Sequence, residues 1–169
     1  TTGLDHIDIK YAESIGIKVL SLRGENKFLN TITSTSELAL GLMIDILRMT
    51  HSAIDSVKNY KWDRESFRGY NIYGLTLGIV GLGKIGKEFA KRAESFSMEI
   101  FYFGPNKKKS RYKYVENLKK MAALVDYLVV TCAGGKKTEK LINAAVLKSM
   151  KKHSYIVNVS RGTVIDEKS

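Results

Sequence analysis

The stretch Leu77-Gly78-Ile79-Val80-Gly81-Leu82-Gly83-Lys84-Ile85-Gly86 decides the fold, because an apolar run leads directly into a G-x-G-x-x-G string. In such a string the first glycine, Gly81, permits a tight turn, and the second, Gly83, lets the backbone approach a pyrophosphate. The third, Gly86, allows a helix to pack closely on the strand. The phosphates then lie at a helix N-terminus, where unpaired N–H groups and the helix dipole favour anions. The string predicts a dinucleotide site; the alternative is a glycine-rich strand-to-helix turn without a ligand.

Apolar and helix-like segments alternate on the C-terminal side of this string. Further apolar runs follow at 100–103, 127–130 and 155–159. Segments with apolar side chains at helical spacing separate them, at 85–96, 115–124 and 144–150. Continuous apolar runs of this length indicate parallel strands buried on both faces, and Asn143 is a suitable N-cap for the last helix. The series predicts an α/β fold, a Rossmann-like doubly wound parallel sheet.

The part of the chain before the glycine string has a different pattern. Ile17 to Leu20 reads as a short strand, and the polar stretch 21–34 that follows is a long loop of the kind that often carries function. From Ser36 to about Lys58 the sequence predicts one helix, whose first half is apolar around most of its circumference. Such a helix is covered on more than one side, so we expect it to lie between two domains or two subunits.

Composition excludes several classes of protein. The chain has 169 residues, of which 44% are hydrophobic and 27% charged, and these values are typical of one soluble globular domain. They exclude a disordered chain, a collagen-like repeat and a disulfide scaffold. No stretch is apolar enough to cross a bilayer, the N-terminus lacks a signal-peptide pattern, and Cys132 is the single cysteine. We therefore expect a cytoplasmic protein with no membrane partner.

The net charge of +11 is the one unusual quantity, and it raises the possibility of nucleic-acid binding. The lysines, however, form scattered groups, and no helix-turn-helix, zinc-finger or RNP pattern accompanies them. This favours a solvated lysine-rich surface and no nucleic-acid partner. The rival interpretation predicts an affinity for nucleic acid that falls steeply with salt.

The end of the second apolar run bears on the choice of cofactor. Gly104 stands where a dinucleotide site usually has an acidic residue for the ribose hydroxyls, and Asn106 and the lysines 107–109 follow. Without the acid, a 2′-phosphate meets no repulsion, and nearby cations can pair with it. The cofactor is therefore NAD or NADP, with a slight preference for NADP. The alternative is that the lysines are solvated and the backbone alone binds the ribose.

Strings spread along almost the whole chain resemble those of one known family. They are TGLDHID at 2–8, GIKV at 16–19, TSEL at 35–38, GLTLGIV at 74–80, NVSRG at 158–162 and VID at 164–166. On these strings the chain resembles the D-isomer-specific 2-hydroxyacid dehydrogenases. The resemblance implies three parts: residues 1–35 as the tail end of a flavodoxin-like substrate domain, 36–73 as the interdomain helix and connection, and 74–169 as a Rossmann NAD(P)-binding domain, C-terminally truncated.

The resemblance also implies which residues contact the cofactor. Lys84 and Ile85 are assigned to the pyrophosphate, Cys132 and Ala133 to the adenosine, and Val159 with Ser160 to the surroundings of the nicotinamide. The implied cofactor-binding set is Gly81, Gly83, Lys84, Ile85, Gly86, Gly104, Cys132, Ala133, Thr138, Val159, Ser160 and Arg161. No metal ligands are expected. Two strings depart from the family pattern, Gly104 in place of the usual acid and TCAG at 131–134 in place of a His-Val-Pro-Leu type of string.

The resemblance assigns Arg161 as the catalytic arginine. A guanidinium offers a planar fork that orients the carboxylate of a 2-oxo acid and polarises the carbonyl that accepts hydride. The alternative is an arginine that satisfies loop carbonyls after the last strand. The implied function is an oxidoreductase that interconverts a D-2-hydroxy acid and its 2-oxo acid with NAD(P). A dinucleotide-sensing binding module of the corepressor type, without turnover, is the rival hypothesis.

The family's mechanism also needs a histidine as general acid/base and a glutamate that raises its pKa, both after the NVSRG string. His6, His51 and His153 match neither position. We therefore expect the chain to be a fragment of a longer dehydrogenase, inactive by itself. By the same resemblance we expect a homodimer that forms through the helix at 36–58.

Overall fold

The computed structural model describes residues 3–169, so that Thr2 of the TGLDHID string lies outside the described part. The chain divides into two compact units, Thr1–Thr33 and Ser34–Ser169. The first unit contains the helices α1 (Ile9–Ser14) and α2 (Asn26–Leu29). Asp8 caps α1, since its Oδ1 accepts a hydrogen bond of 3.0 Å from the N–H of Tyr11.

The predicted strand at Ile17–Leu20 is wrong. Ile17 and Leu20 are 54% and 80% exposed, and within residues 3–33 no strand lies alongside to pair with this segment. A strand needs a hydrogen-bonded neighbour, which a short apolar run cannot supply by itself.

The second unit is built on a five-stranded sheet in which all pairs are parallel, with the order β3-β2-β1-β4-β5. The strands are β1 (Thr76–Val80), β2 (Glu99–Phe103), β3 (Lys113–Tyr114), β4 (Tyr127–Val130) and β5 (Tyr155–Asn158). The predicted Rossmann-like α/β fold is therefore confirmed. The sequence did not indicate β3, because a strand of two residues leaves no periodic pattern.

The register brings the carboxyl ends of the strands to one edge of the sheet. Val80 pairs with both Phe103 and Val130, and Val130 pairs with Asn158. The strand order reverses between β1 and β4, and doubly wound sheets bind ligands at the carboxyl edge beside such a reversal. We call this side of the sheet the carboxyl edge.

Helices cover both faces of the sheet. They are α3 (Ser34–Arg48), α4 (Thr50–Lys58), α5 (Lys84–Glu94), α6 (Leu118–Leu124) and α7 (Ala144–Ser149), with short 3-10 turns at Glu65–Phe67 and Gly162–Val164. One core cluster joins Met43 of α3 and Phe89 of α5 to Tyr127 on the sheet. The other joins Met121 of α6 and Val146 of α7 to the opposite face. Burial on both faces explains the apolar runs in β1, β2, β4 and β5. Among residues 3–169, no helix combines the length and the apolar character that a membrane span requires.

The predicted single helix from Ser36 to Lys58 is wrong, because it breaks at Met49, which has a φ of 53°. The N–H of Tyr70 donates to the carbonyl of Leu47 at 3.2 Å. In a continuous helix that carbonyl would accept from His51, whose N–H instead donates to Oδ1 of Asp45 at 3.1 Å. The hydrogen bond from Tyr70 to Leu47 thus replaces the helical hydrogen bond that His51 would donate to the same carbonyl.

The opposite edge of the sheet is held by Asp126, immediately before β4. Its Oδ2 accepts hydrogen bonds from the N–H of Thr76 at 2.8 Å and from Thr76 Oγ1 at 2.7 Å. Its Oδ1 accepts from Lys151 Nζ at 2.7 Å. Burial raises the pKa of the Asp126 carboxyl, but the hydrogen bonds from Lys151 and Thr76 outweigh burial, so the net pKa lies below its ordinary value. The carboxylate therefore ties the starts of β1 and β4 together.

We predict that Asp126→Asn lowers the free energy of unfolding at pH 7 by about 1 kcal/mol, the difference between charged and neutral hydrogen bonds. A lowered pKa stabilises the fold above the unfolded value of about 4, and this stabilisation is lost as the pH falls through the folded pKa. Urea unfolding from pH 7 down to pH 3 measures the difference, with the exposed Asp55→Asn as control. If Asp126→Asn lowers the free energy of unfolding equally at pH 7 and at pH 3, the stabilising role of the Asp126 carboxylate is contradicted.

Candidate dinucleotide site

The turn after β1 requires glycine at its first position. Gly81 has a φ of +98°, and its N–H donates to the carbonyl of Phe103 at 2.9 Å. A Cβ atom at this position would lie 2.6 Å from Cα of Cys132. Any side chain at Gly81 would thus be strained and would collide with the backbone after β4.

Gly86 lets α5 pack closely against the same turn. A Cβ atom there would lie 2.5 Å from the carbonyl oxygen of Gly81 and 2.9 Å from Thr131 Oγ1. The Thr131 hydroxyl donates to the Gly81 carbonyl at 2.8 Å. The first and third glycines of the string therefore serve the packing of helix, turn and strand.

Gly83 differs from the other two, because a Cβ atom built there meets nothing within 4 Å. It is the N-cap residue of α5, a helix of 11 residues, and it has no side chain to cap that helix. The N–H groups in the first turn of a helix lack intrahelical acceptors, and the helix dipole adds positive potential there. The space beside Gly83 and the donors of Lys84 and Ile85 fit the pyrophosphate of a dinucleotide.

The loops after β4 and β5 are joined beside this turn. The hydroxyl of Ser160 donates to the carbonyl of Cys132, and the N–H of Val159 donates to the carbonyl of Val130 at 3.1 Å. Thr138 Oγ1 donates to the carbonyl of Ala133 at 2.8 Å and so closes the loop that follows β4.

Cys132 is half-buried in this position, and burial raises the pKa of its thiol, although a hydrogen bond with Ser160 acts in the opposite direction. The thiol is therefore protonated at neutral pH. A protonated thiol is a poor nucleophile, so Cys132 is not expected to act as a nucleophile.

Arg161 follows β5 at the carboxyl edge. Its carbonyl accepts from Asn158 Nδ2 at 3.0 Å, while Asn158 Oδ1 accepts from the N–H of Ser160 at 2.9 Å. Its side chain passes over Gly134, where a Cβ atom would lie 2.5 Å from Arg161 Cγ. Asn158 thus fixes the backbone of Arg161, and Gly134 leaves room for the side chain.

Gly104 directly follows β2 at this edge, and a Cβ atom there would meet nothing within 4 Å. In the loop that follows, Lys108 Nζ donates to the carbonyl of Leu82, inside the glycine string, at 2.7 Å. Sequence reasoning noted the lysines but missed this contact, because a run of three lysines gives no indication of which one turns back toward the glycine string.

The family model for the “D-isomer specific 2-hydroxyacid dehydrogenase, NAD binding domain” matches residues 40–169. The chain belongs to this family. The matched model describes the NAD-binding domain of the family, which agrees with the glycine turn described above.

Similar proteins support the assignment. The D-3-phosphoglycerate dehydrogenase of Methanocaldococcus jannaschii is 34% identical over 172 residues, which cover 99% of this chain and 32% of that protein. The hydroxypyruvate reductase of Thermotoga maritima is 36% identical, with 99% of this chain and 53% of that protein covered. The apo-structure of D-lactate dehydrogenase from Escherichia coli has a TM-score of 0.87 at 27% identity, covering 99% of this chain and 52% of that chain. The chain thus spans about a third to a half of the length of these relatives.

The second unit of the chain brings the residues assigned to the cofactor to one edge of its sheet. Gly81 lies against Cys132, Gly86 against Thr131, and Arg161 against Gly134. The structure places the remaining assigned residues in the same strand-end loops or in the first turn of α5. His51 lies elsewhere, on α4, and His153 lies in the exposed turn before β5. Cofactor contact by this group remains a prediction.

We predict that Gly83→Ala and Gly86→Ala separate binding from folding. At Gly83 the new methyl group meets no protein atom, so the fold is retained while affinity for NAD(P)⁺ falls at least about tenfold, a loss of about 1.4 kcal/mol. At Gly86 the methyl group collides with the Gly81 carbonyl, and overpacking of this kind costs about 1–3 kcal/mol of stability.

Thermal unfolding and isothermal titration calorimetry measure the two effects. Gly41→Ala on α3, where a Cβ atom also meets nothing within 4 Å, is the matched control and should leave binding unchanged. Undiminished dinucleotide affinity of Gly83→Ala would show that the phosphates bind elsewhere.

Proposed function

We propose that the chain is the NAD(P)-binding part of an oxidoreductase that interconverts a D-2-hydroxy acid and its 2-oxo acid by hydride transfer. The position of Arg161 carries this proposal, because it lies at the same sheet edge as the glycine turn and passes over Gly134. The names of the relatives, D-3-phosphoglycerate dehydrogenase, hydroxypyruvate reductase and D-lactate dehydrogenase, agree with such substrates. They favour catalysis over a corepressor-type binding module.

The role of Arg161 follows from the chemistry of its guanidinium. The planar fork binds the carboxylate of the substrate through two parallel hydrogen bonds and polarises the neighbouring carbonyl. Asn158 holds the Arg161 backbone in place after β5, which keeps the start of this side chain at the carboxyl edge. The nicotinamide, when bound, supplies or accepts the hydride.

The reaction also moves a proton at the substrate oxygen, and a general acid/base typically contributes about 10² to 10⁴ in rate. Of the two histidines in Ser34–Ser169, His51 pairs with Asp45 at 3.4 Å on the surface and His153 is exposed before β5. Neither lies beside Arg161. His6 lies in the first unit and, like these two, does not match the position that the family resemblance gives the general acid/base. We therefore propose that a group other than these histidines transfers the proton, and expect no measurable reduction of glyoxylate, pyruvate or hydroxypyruvate by the 169-residue chain alone.

In the full-length protein, we predict that Arg161→Ala lowers kcat/KM by about 10² to 10³, the effect of removing one donor that stabilises the transition state. Affinity for the dinucleotide should stay nearly unchanged, because the fork is assigned to the substrate. Steady-state kinetics and calorimetry measure the two quantities, and Arg161→Lys should fall between wild type and alanine. Activity that survives the alanine substitution would refute the catalytic assignment.

For the cofactor, we propose a preference for NADP(H), which rests on the missing carboxylate at Gly104 and on the lysines that follow it. We predict that NADP(H) binds at least as tightly as NAD(H). Gly104→Asp should shift the preference toward NAD(H), and the structure has room for this side chain. Calorimetric titration of both variants tests this, and clearly tighter binding of NAD(H) by the wild type would contradict it.

We also propose that the protein forms a homodimer through the segment at 36–58, now α3 and α4. Leu38 and Leu42 are 58% and 38% exposed on α3, and Ile54 and Val57 of α4 are also exposed. A second subunit that covers these side chains would remove their apolar surface from water. Multi-angle light scattering should give a dimer for the wild type and a monomer for Leu42→Glu. A monomeric wild type would overturn this proposal.

A further inference from the structure

The loop after β2, residues 104–109, is held by two tyrosines; we call it the lysine loop. Tyr102 is 1% exposed, and its hydroxyl accepts from the N–H of Lys108 at 2.8 Å and donates to the Lys108 carbonyl at 3.2 Å. Tyr114 donates to the carbonyl of Gly104 at 3.2 Å, and the two rings lie 5.3 Å apart. One buried hydroxyl thus fixes both backbone groups of Lys108.

The three lysines of this loop are therefore not equivalent. Lys108 Nζ donates to the carbonyl of Leu82 at 2.7 Å, so its side chain spans from the end of β2 to the glycine turn. All three residues are exposed, but in the part of the chain that the structure describes the side chains of Lys107 and Lys109 make no hydrogen bond or ion pair. Only Lys108 is anchored at its backbone and directed at the glycine string.

In a Rossmann site the adenosine ribose lies between the glycine turn and the end of the second strand. The side chain of Lys108 extends across this same region. Gly104 presents no carboxylate there. A 2′-phosphate carries about two negative charges, whereas the present partner of Lys108, the Leu82 carbonyl, is neutral. Hydrogen bonds between an ammonium and an anionic oxygen are about twice as strong as neutral ones, so a phosphate is a stronger partner for Nζ than the Leu82 carbonyl.

We propose that Lys108 is the residue that discriminates the 2′-phosphate of the cofactor, exchanging the Leu82 carbonyl for that phosphate when NADP binds. The proposal rests on the proposed cofactor binding and names the one side chain responsible for its specificity. A ligand without the 2′-phosphate leaves Lys108 on Leu82, so its affinity does not depend on this lysine. Tyr102 is the positioning residue, since it holds the Lys108 backbone where the side chain reaches the ribose site.

The test is isothermal titration calorimetry of the 169-residue chain with NADP⁺, NAD⁺, 2′,5′-ADP and 5′-AMP. Lys108→Met keeps the length of the side chain and removes its charge. This substitution should lower the affinities for NADP⁺ and 2′,5′-ADP by about 10- to 100-fold, as expected for the loss of one charged hydrogen-bonding partner. NAD⁺ and 5′-AMP should change by less than about twofold, a shift well below 1 kcal/mol. Lys107→Met and Lys109→Met are the matched controls and should behave like wild type.

Two further variants separate specificity from structure. Lys108→Arg keeps the charge and should retain most of the affinity for 2′,5′-ADP. Tyr102→Phe should lower the affinity for NADP⁺ and leave the affinity for NAD⁺ unchanged. An equal loss for all four ligands, an equal loss in Lys107→Met, or no loss for NADP⁺ in Lys108→Met would each overturn the proposal. If the wild type binds neither dinucleotide, the proposed function fails as well. If the wild type binds both dinucleotides and Lys108→Met binds them with the same affinities, only the assignment of Lys108 is refuted.

Discussion

The close approach of α5 to the turn after β1 is the constraint on which the rest of the site depends. It is possible only because Gly86 lacks a Cβ atom, which would otherwise lie 2.5 Å from the Gly81 carbonyl. This packing directs the N-terminus of α5 at the carboxyl edge of the sheet, where Gly83 leaves both space and uncapped N–H donors. The adjoining loops also depend on it, since Gly81 lies directly against Cys132.

The parallel register brings loops from distant parts of the sequence together beside this turn. With Val80, Val130 and Asn158 at equivalent depth in the sheet, the residues that follow each strand meet at one edge. At the opposite edge Asp126 joins the starts of β1 and β4. The hydrogen bonds of Asp126 and the proposed cofactor site thus lie at opposite ends of the same strands, so these bonds do not occupy the carboxyl edge.

The parts of the fold that sequence predicts well are those with a local cause. The buried strands appear as apolar runs, and Asn143 does cap its helix, with its Oδ1 accepting from the N–H groups of Ala145 and Val146. The break at Met49 was not predictable, because it depends on a hydrogen bond between Leu47 and Tyr70, residues far apart in the chain. For the same reason sequence identified the lysine loop but not the role of Lys108, which depends on contacts with Tyr102 and Leu82.

The most direct test of the account is a titration of the ¹⁵N-labelled chain with NADP⁺, followed by amide chemical shifts in two-dimensional NMR. If the pyrophosphate binds at the N-terminus of α5, the largest shifts should occur at the amides of Gly83, Lys84 and Ile85. Smaller changes should follow at Cys132 and Ser160, in the loops that border the turn. Saturable shifts confined to other surfaces, or none at the first turn of α5, would contradict the central claim that this turn is the cofactor site.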